Sequence, residues 1–326
     1  MKMLKATIED SHSPRSNTTM HVTKLEDHLY LIDVETAGIK NFVASYVLKG
    51  EKVMIVETGP TSSVPNLLAG LRELQVKLED VAYVAVSHVH LDHAGGVGTL
   101  LKNLPNAKVI VHQRGAPHLI SPEKLWQQSQ EVLTSSITDL YGAPEPVPPE
   151  RVAAAADGMV FDAGKDVRLK VVETTGHASH HQSYQDLLSG GVFPGDAAGI
   201  YLNEIGVVVP TTPVPFRMDI ALAALDKLMG LRPKALYYSH FGRTLDAVGK
   251  LQAYVRQLEL WAKIAKEELD KDNDVKAIGR RIMEEDEAVR KAVEYIGEHP
   301  ILNKTVLNQS VFGVVDFVTK RGLAST

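Results

Sequence analysis

The chain has 326 residues, with 35 Lys and Arg against 40 Asp and Glu and a formal net charge of −5 at pH 7. It contains no cysteine, which excludes disulfides, thiolate metal ligands, cysteine nucleophiles and CxxC redox pairs at once. The mild acidity, without a dense Lys/Arg run, argues against nucleic acid as a partner.

No stretch is apolar over the length of a membrane span, and the residues up to Tyr30 lack a secretory apolar core. The expectation is therefore a cytoplasmic protein with neither membrane nor nucleic-acid partners, and with homo-oligomerisation left open. At roughly 150 residues per domain the length suggests one large core plus an appendage.

The segment to about Thr19 is rich in Ser, Thr and charge and reads as a loosely held arm. Strands are predicted at His28 to Val34, Asn41 to Leu48 and Lys52 to Val56. Leu67, Leu68, Leu71 and Leu74 recur at helical spacing, and Val81 to Val86 is short and β-branched, as a buried strand should be. Gly96 to Leu104 reads as a helix and Lys108 to His112 as a strand. Ser121-Pro122-Glu123 signals a helix with Ser as N-cap, running to about Tyr141. Further strands are predicted at Met159 to Phe161, Val167 to Val172, near Val192 and Phe193, and at Ala235 to Ser239. So many apolar strand runs predict two sheets packed face to face with helices outside. Beyond Gly242, Val248, Leu251, Val255, Leu258, Ala262, Ala265 and Leu269 step by threes and fours along one amphipathic helix, with two more helical stretches after it. That stripe is expected to pack on the body rather than form a coiled seam.

The chemistry concentrates after the buried strand, at Ser87-His88-Val89-His90-Leu91-Asp92-His93-Ala94-Gly95-Gly96. Residues two apart in an extended segment point the same way, so His88 and His90 can face one metal. Asp92 and His93, at the turn, can swing to a second. Three later strand ends also carry polar groups: Gly176-His177-Ala178-Ser179-His180-His181, Gly195-Asp196, and Ser239-His240-Phe241-Gly242. One edge of the sandwich would gather seven N/O ligands, His88, His90, Asp92, His93, His177, Asp196 and His240, a set suited to Zn²⁺, Fe²⁺ or Mn²⁺.

On these motifs, the HxHxDH signature with its trailing Gly-Gly followed in order by Gly-His, Gly-Asp and a last strand-end His, the chain resembles the metallo-β-lactamase-fold superfamily. The resemblance runs from about Val22 to Arg243. It implies an α/β class fold, the αβ/βα sandwich of two mixed sheets flanked by helices. The catalytic domain would span residues 20–243, with a helical C-terminal extension over 244–326 packed on the core. It further implies His88, His90 and His177 on one ion, Asp92, His93 and His240 on the other, and Asp196 bridging. Glyoxalase II and the acyl-homoserine lactonases are the best-understood relatives with this ligand set, and both cleave an acyl bond with a metal-held hydroxide.

The expected function is thus a two-metal hydrolase, most simply with Zn²⁺, acting on an ester, thioester or lactone of a small molecule, with Asp92 and Asp196 catalytic. An iron-dependent oxidoreductase on the same scaffold, or a metal-binding protein without catalysis, is the alternative. The diiron relatives place Glu where this chain has His90, and the persulfide enzymes use fewer of the seven ligands, which favours hydrolysis.

The chain also departs from its relatives. Glu57-Thr58-Gly59 stands where many have Asp-Thr-Gly, with Glu57 expected to support the first histidine loop. His181 matches the GHxxxH spacing and is expected to orient ligands rather than bind metal. Gly199 stands where lactonases have Tyr, which weakens a lactonase assignment; Tyr201 is two residues further on, in a proline-bearing segment to Met218 that reads equally as a pocket wall or a plain connection. His12, His21, His28, His112, His118 and His299 lack ligand-like spacing and are read as surface or structural residues.

Overall fold

Alternation along the strands decides the architecture. In Leu29–Asp33, Leu29 and Leu31 pack to one side and Ile32 to the other; in Val53–Val56, Met54 and Val56 face the first side, Val53 and Ile55 the second. Successive side chains point to opposite faces, so a sheet apolar on both must be covered twice. The computed structural model describes residues 22–297, 299 and 301–321. The predicted N-terminal arm, with His12 and His21, lies outside them.

The first half builds a seven-stranded sheet in sequence order: β1 (Val22–Lys24), β2 (Leu29–Asp33), β3 (Ala44–Lys49), β4 (Val53–Val56), then α1 (Val64–Glu73), β5 (Val81–Ala85), α2 (Leu91–Ala94), α3 (Val97–Leu101), β6 (Lys108–His112), α4 (Ala116–Ile120), α5 (Glu123–Tyr141) and β7 (Val152–Ala155). The pairs from β4 to β7 are parallel, with helices in the crossovers, and the earlier ones antiparallel. The second half supplies β8 (Val160–Asp162), β9 (Arg168–Glu173), β10 (Gln182–Asp186), β11 (Val192–Phe193), the hairpin β12 (Ile200–Leu202) and β13 (Val207–Val209), α6 (Met218–Gly230), β14 (Leu236–Tyr238) and β15 (Gly242–Thr244). Its main sheet has the order β15-β14-β11-β10-β9-β8 and is also mixed. Then come α7 (Ala247–Leu269), α8 (Val275–Glu285), α9 (Glu287–Ile296) and α10 (Leu302–Arg321).

The inter-sheet core contains Leu31, Tyr46, Met54 and Ile110 from one sheet against Leu169, Val171, Tyr184 and Phe193 from the other. The outer faces are covered by helices, so the fold is the expected two-sheet sandwich. Two buried phenols tie its layers reciprocally. Tyr46 on β3 donates to the Tyr238 carbonyl at 2.6 Å, and Tyr184 on β10 donates to the Val86 carbonyl at 2.8 Å. Burial pushes both phenols well above their usual pKa, so both remain donors. Tyr238 ends, and Val86 directly follows, a strand that precedes a histidine loop.

Several elements differ from expectation. The helix from Ser121 starts at Glu123 with Pro122 as N-cap, because Ser121 already closes α4, its N–H donating to the Pro117 carbonyl. Among the described residues three helices, not two, follow α7. The carboxylate of Asp286 caps the amides of Ala288 and Val289 and so splits α8 from α9. The α7 stripe is covered within the chain by α6, α8, α10 and β13, except that Val248 is 37% exposed. Among the described residues no helix is long and apolar enough to cross a membrane.

Candidate metal centre

All seven predicted ligands stand at one edge of the sandwich, in loops leaving strand ends. The loop after β5 carries His88 and His90 and turns into α2, which presents Asp92 and His93. The loop after β9 brings His177, the one after β11 Asp196, and the one after β14 His240. Among the described residues their side-chain atoms form three overlapping triads: His88, His90 and His177; Asp92, His93 and His240; and His88, His93 and Asp196.

Atom-level contacts show how they converge. His88 Nε2 lies 2.8 Å from His90 Nδ1, and His177 Nε2 lies 3.2 Å from the same His90 atom. In the second triad His240 Nε2 is 3.4 Å from Asp92 Oδ2 and His93 Nε2 3.9 Å from Asp92 Oδ1. The outward nitrogens are held by the chain. Ser87 Oγ meets His88 Nδ1 at 2.9 Å, the Thr211 carbonyl meets His177 Nδ1 at 2.9 Å, and the Phe42 carbonyl meets His240 Nδ1 at 3.0 Å. A carbonyl only accepts, so the Nδ1 atoms of His177 and His240 carry the hydrogen and their Nε2 lone pairs face the centre.

The expected supporting residues are buried beside these. Glu57, 1% exposed, accepts through Oε1 from the Ser87 amide at 3.2 Å and the Ser239 hydroxyl at 3.3 Å, and stands 3.6 Å from His93 Nδ1. One carboxylate thereby braces the loops after β5 and β14. His181 accepts from the Asp196 amide at Nε2, 3.1 Å, so its Nδ1 donates to Thr174 Oγ1 at 3.0 Å; Thr174 then donates to Ser183 Oγ at 2.7 Å, which donates to the Pro194 carbonyl at 3.1 Å. Each donor has one acceptor, and the chain fixes the Asp196 loop. Gly195, at φ +53°, is required there, since a Cβ would lie 2.6 Å from Ser87 Cβ.

Tyr201 is placed differently from a pocket wall. Its ring is buried, stacked on Tyr238 at 5.0 Å beneath Lys250 of α7. Two of the histidines read as surface or structural have carboxylate partners: His28 Nε2 meets Asp186 Oδ2 at 2.7 Å, and His112 Nε2 meets Glu173 Oε2 at 3.4 Å.

The donor set fits divalent cations on an independent ground. Glu57 Oε2, both ring nitrogens of His93 and Asp196 Oδ1 are buried without a hydrogen bond of good geometry, two carboxylates around one imidazole whose buried charge must be balanced by a proton on His93 or by a bound cation. Burial and the neighbouring imidazoles push His90 down to about 3 and His88 well below its usual value, so both are neutral imidazoles with lone pairs open to a cation. His93 goes the other way. Burial opposes its charge, but Asp196, Asp92 and Glu57 raise it well above the ordinary imidazole value. The metal-free protein therefore holds an imidazolium at neutral pH that must lose its proton before Nε2 can bind an ion. Zinc titration at pH 7 is expected to release protons, giving calorimetric enthalpies that differ between buffers of unequal ionisation enthalpy, and affinity should rise with pH. Identical enthalpies would refute a charged His93.

One residue escaped the motif search. Tyr141, at the C-terminal end of α5, is 2% exposed, and α5 packs on α2, which carries Asp92 and His93. Its phenol is raised well above the usual value by burial and by the charges of Asp92 and Asp196. No spacing signal marks it, because it lies at the end of a helix packed on α2 rather than at a strand end.

A two-sheet sandwich that gathers imidazoles and carboxylates at its strand ends defines a class of metal-site scaffold. The model of the metallo-beta-lactamase superfamily matches residues 39–240, and the chain belongs to that superfamily. It is 28% identical over 242 residues to the metallo-beta-lactamase fold-containing protein ST1585 of Sulfurisphaera tokodaii, covering 73% of this chain and 85% of that protein. The ST1585 crystal structure aligns at TM-score 0.57 over 67% of this chain and 80% of that one. The metallo-beta-lactamase family protein TTHA1429 of Thermus thermophilus, 20% identical, aligns at TM-score 0.65 over 92% of this chain and 95% of its own, a likeness of fold that includes helices beyond the sandwich. BJP-1, a subclass B3 metallo-beta-lactamase of Bradyrhizobium japonicum, shares the fold at 16% identity, with a TM-score of 0.57 over 77% of this chain and 96% of its own.

Proposed function

We propose that the chain is a metal-dependent hydrolase cleaving an ester, thioester or lactone bond of a small molecule. His88, His90 and His177 would hold one divalent ion and Asp92, His93 and His240 a second, with Asp196 placed between the two sets. The observation carrying this reading is the split address of Asp196: Oδ1 stands 3.3 Å from His93 Nε2 and Oδ2 3.6 Å from His177 Nε2, so one carboxylate faces both triads. An all-N/O donor set favours Zn²⁺, with Fe²⁺ and Mn²⁺ served by the same groups.

When bound, such a pair lowers the pKa of water from 15.7 to about 7 and polarises a carbonyl, so the chain need supply no nucleophile of its own. Water adds to the acyl carbon, the bond from that carbon to the leaving oxygen or sulfur breaks, and the leaving atom takes a proton. Asp92 is the group to carry that proton. Its side chain is 24% exposed against 7% for Asp196, and although burial works against its charge, His93 and His240 keep it ionised. The Tyr141 hydroxyl donates to the carbonyl oxygen as charge develops there.

Element analysis of the purified protein, paired with thioester, lactone, phosphodiester and β-lactam substrates, tests the reading. Two equivalents of zinc with acyl-bond turnover are expected. Near-stoichiometric iron with oxygen consumption and no hydrolysis would replace it by the redox alternative. Tyr141→Phe should lower kcat by about 10²-fold, the scale of losing one oxyanion donor, with metal content unchanged; undiminished kcat would remove Tyr141 from the mechanism.

A further inference from the structure

We propose that the C-terminal helices position the metal-facing imidazole of His177, acting through the backbone carbonyl of Thr211. This rests on the reading of His177 as a ligand. Thr211 lies in the link between β13 and α6, outside any strand ladder, and its carbonyl is the sole orienting partner of His177 Nδ1 among the described residues. A group that fixes a ligand's tautomer and direction is only as good as its own anchorage.

That anchorage comes from beyond the sandwich. Ser310 on α10, 3% exposed, donates to the Pro210 carbonyl at 2.9 Å, receives the Thr212 amide at 3.4 Å, and accepts the Thr212 hydroxyl at its own carbonyl, 2.6 Å away. The residues on both sides of Thr211 are thus pinned to one serine. One turn on, Gly313 allows α10 to approach so closely that a Cβ there would fall on the Thr212 carbonyl oxygen. From α7, the ring of Tyr254 lies against Gly199, three residues after Asp196.

The contrast with His240 sharpens the point. Its orienting carbonyl, from Phe42, belongs to the loop entering β3. The next two residues there are hydrogen-bonded to Val34 and Ser239 of the sandwich, while contact with the extension is made by the Phe42 ring, through His299. For His177 the residues flanking the corresponding group are fastened by α10, outside residues 39–240 that match the superfamily model. The extension is therefore a working part of the centre, and its contact with Pro210–Thr212 is where the two meet.

The test uses the full chain with Ser310→Ala and, since that variant removes hydrogen bonds on both sides of Thr211, Thr212→Val as a milder second. Arg281→Ala is the control: it breaks the contacts of Arg281 to Glu267, Glu268 and Glu285 in the same extension but away from Thr211. Zinc dissociation constants by chelator competition, the cobalt(II) d–d spectrum and thermal unfolding of the metal-free protein are read for each. Ser310→Ala and Thr212→Val should weaken one of two ions by about 10–100-fold and change the cobalt spectrum, Arg281→Ala should lower only the unfolding temperature, and Ser310→Thr should restore affinity. Unchanged affinity in both clamp variants, or an equal loss in Arg281→Ala, overturns the proposal. Should wild type bind no metal, or His177→Ala keep full affinity, the ligand assignment itself fails instead.

Discussion

Replacing Asp196 by Asn is expected to reduce turnover by about 10³-fold, equivalent to some 4 kcal/mol of barrier, and to lower metal content from two equivalents towards one. The amide keeps the shape but loses the charge that faces both triads, while its single carbonyl oxygen can turn to His93 or His177 and not to both. The variant should still fold, since the Asp196 amide remains held by His181 and the loss lies in the side chain alone. Metal analysis alongside steady-state kinetics separates the outcomes: two equivalents retained with full turnover would show that Asp196 does not bridge.

The largest stability effect is expected at Asp286, far from the centre. This carboxylate, 4% exposed, accepts from Trp261 Nε1 at 2.8 Å and from Gln257 Nε2 at 3.2 Å on α7, and caps the first turn of α9 through the amides of Ala288 and Val289. Asp286→Ala leaves buried donors on Trp261 and Gln257 unpaired and uncaps a helix at once. Each of the two orphaned donors costs about 1–3 kcal/mol and the cap about 1 kcal/mol, so a loss of roughly 3–7 kcal/mol is expected. Denaturant unfolding followed by Trp fluorescence reads it directly, and a change under about 1 kcal/mol, the size of the cap alone, would show that the extension does not depend on this hub.

Those two residues also mark what could and could not be read from sequence. Asp196 was legible because it follows a short apolar strand and completes an ordered set of strand-end ligands. The strands at Val81–Ala85 and Lys108–His112 were legible for the same reason, being β-branched and bounded by turns. β10, Gln182–Asp186, was not: it is buried yet polar, its side chains satisfied by partners such as Tyr184 and His28 that periodicity cannot reveal. β7, Val152–Ala155, is three-quarters alanine and carries almost no strand preference; its parallel pairing with β6 decides it. Tyr141 reaches the centre from a helix end, and the Thr211 carbonyl is backbone, which any residue type would provide. Tyr201 was marked by nearness in sequence to Asp196, but β12 turns its ring under α7.

The reciprocal phenols bear on when the centre comes into being. A growing chain that has emerged only as far as β9 carries His88, His90, Asp92 and His93 but neither Tyr184 nor the loops of His177, Asp196 and His240. If the centre holds a pair of cations as proposed, both can be held only once the second layer has docked, and a translation product truncated midway should bind zinc far more weakly than the whole chain.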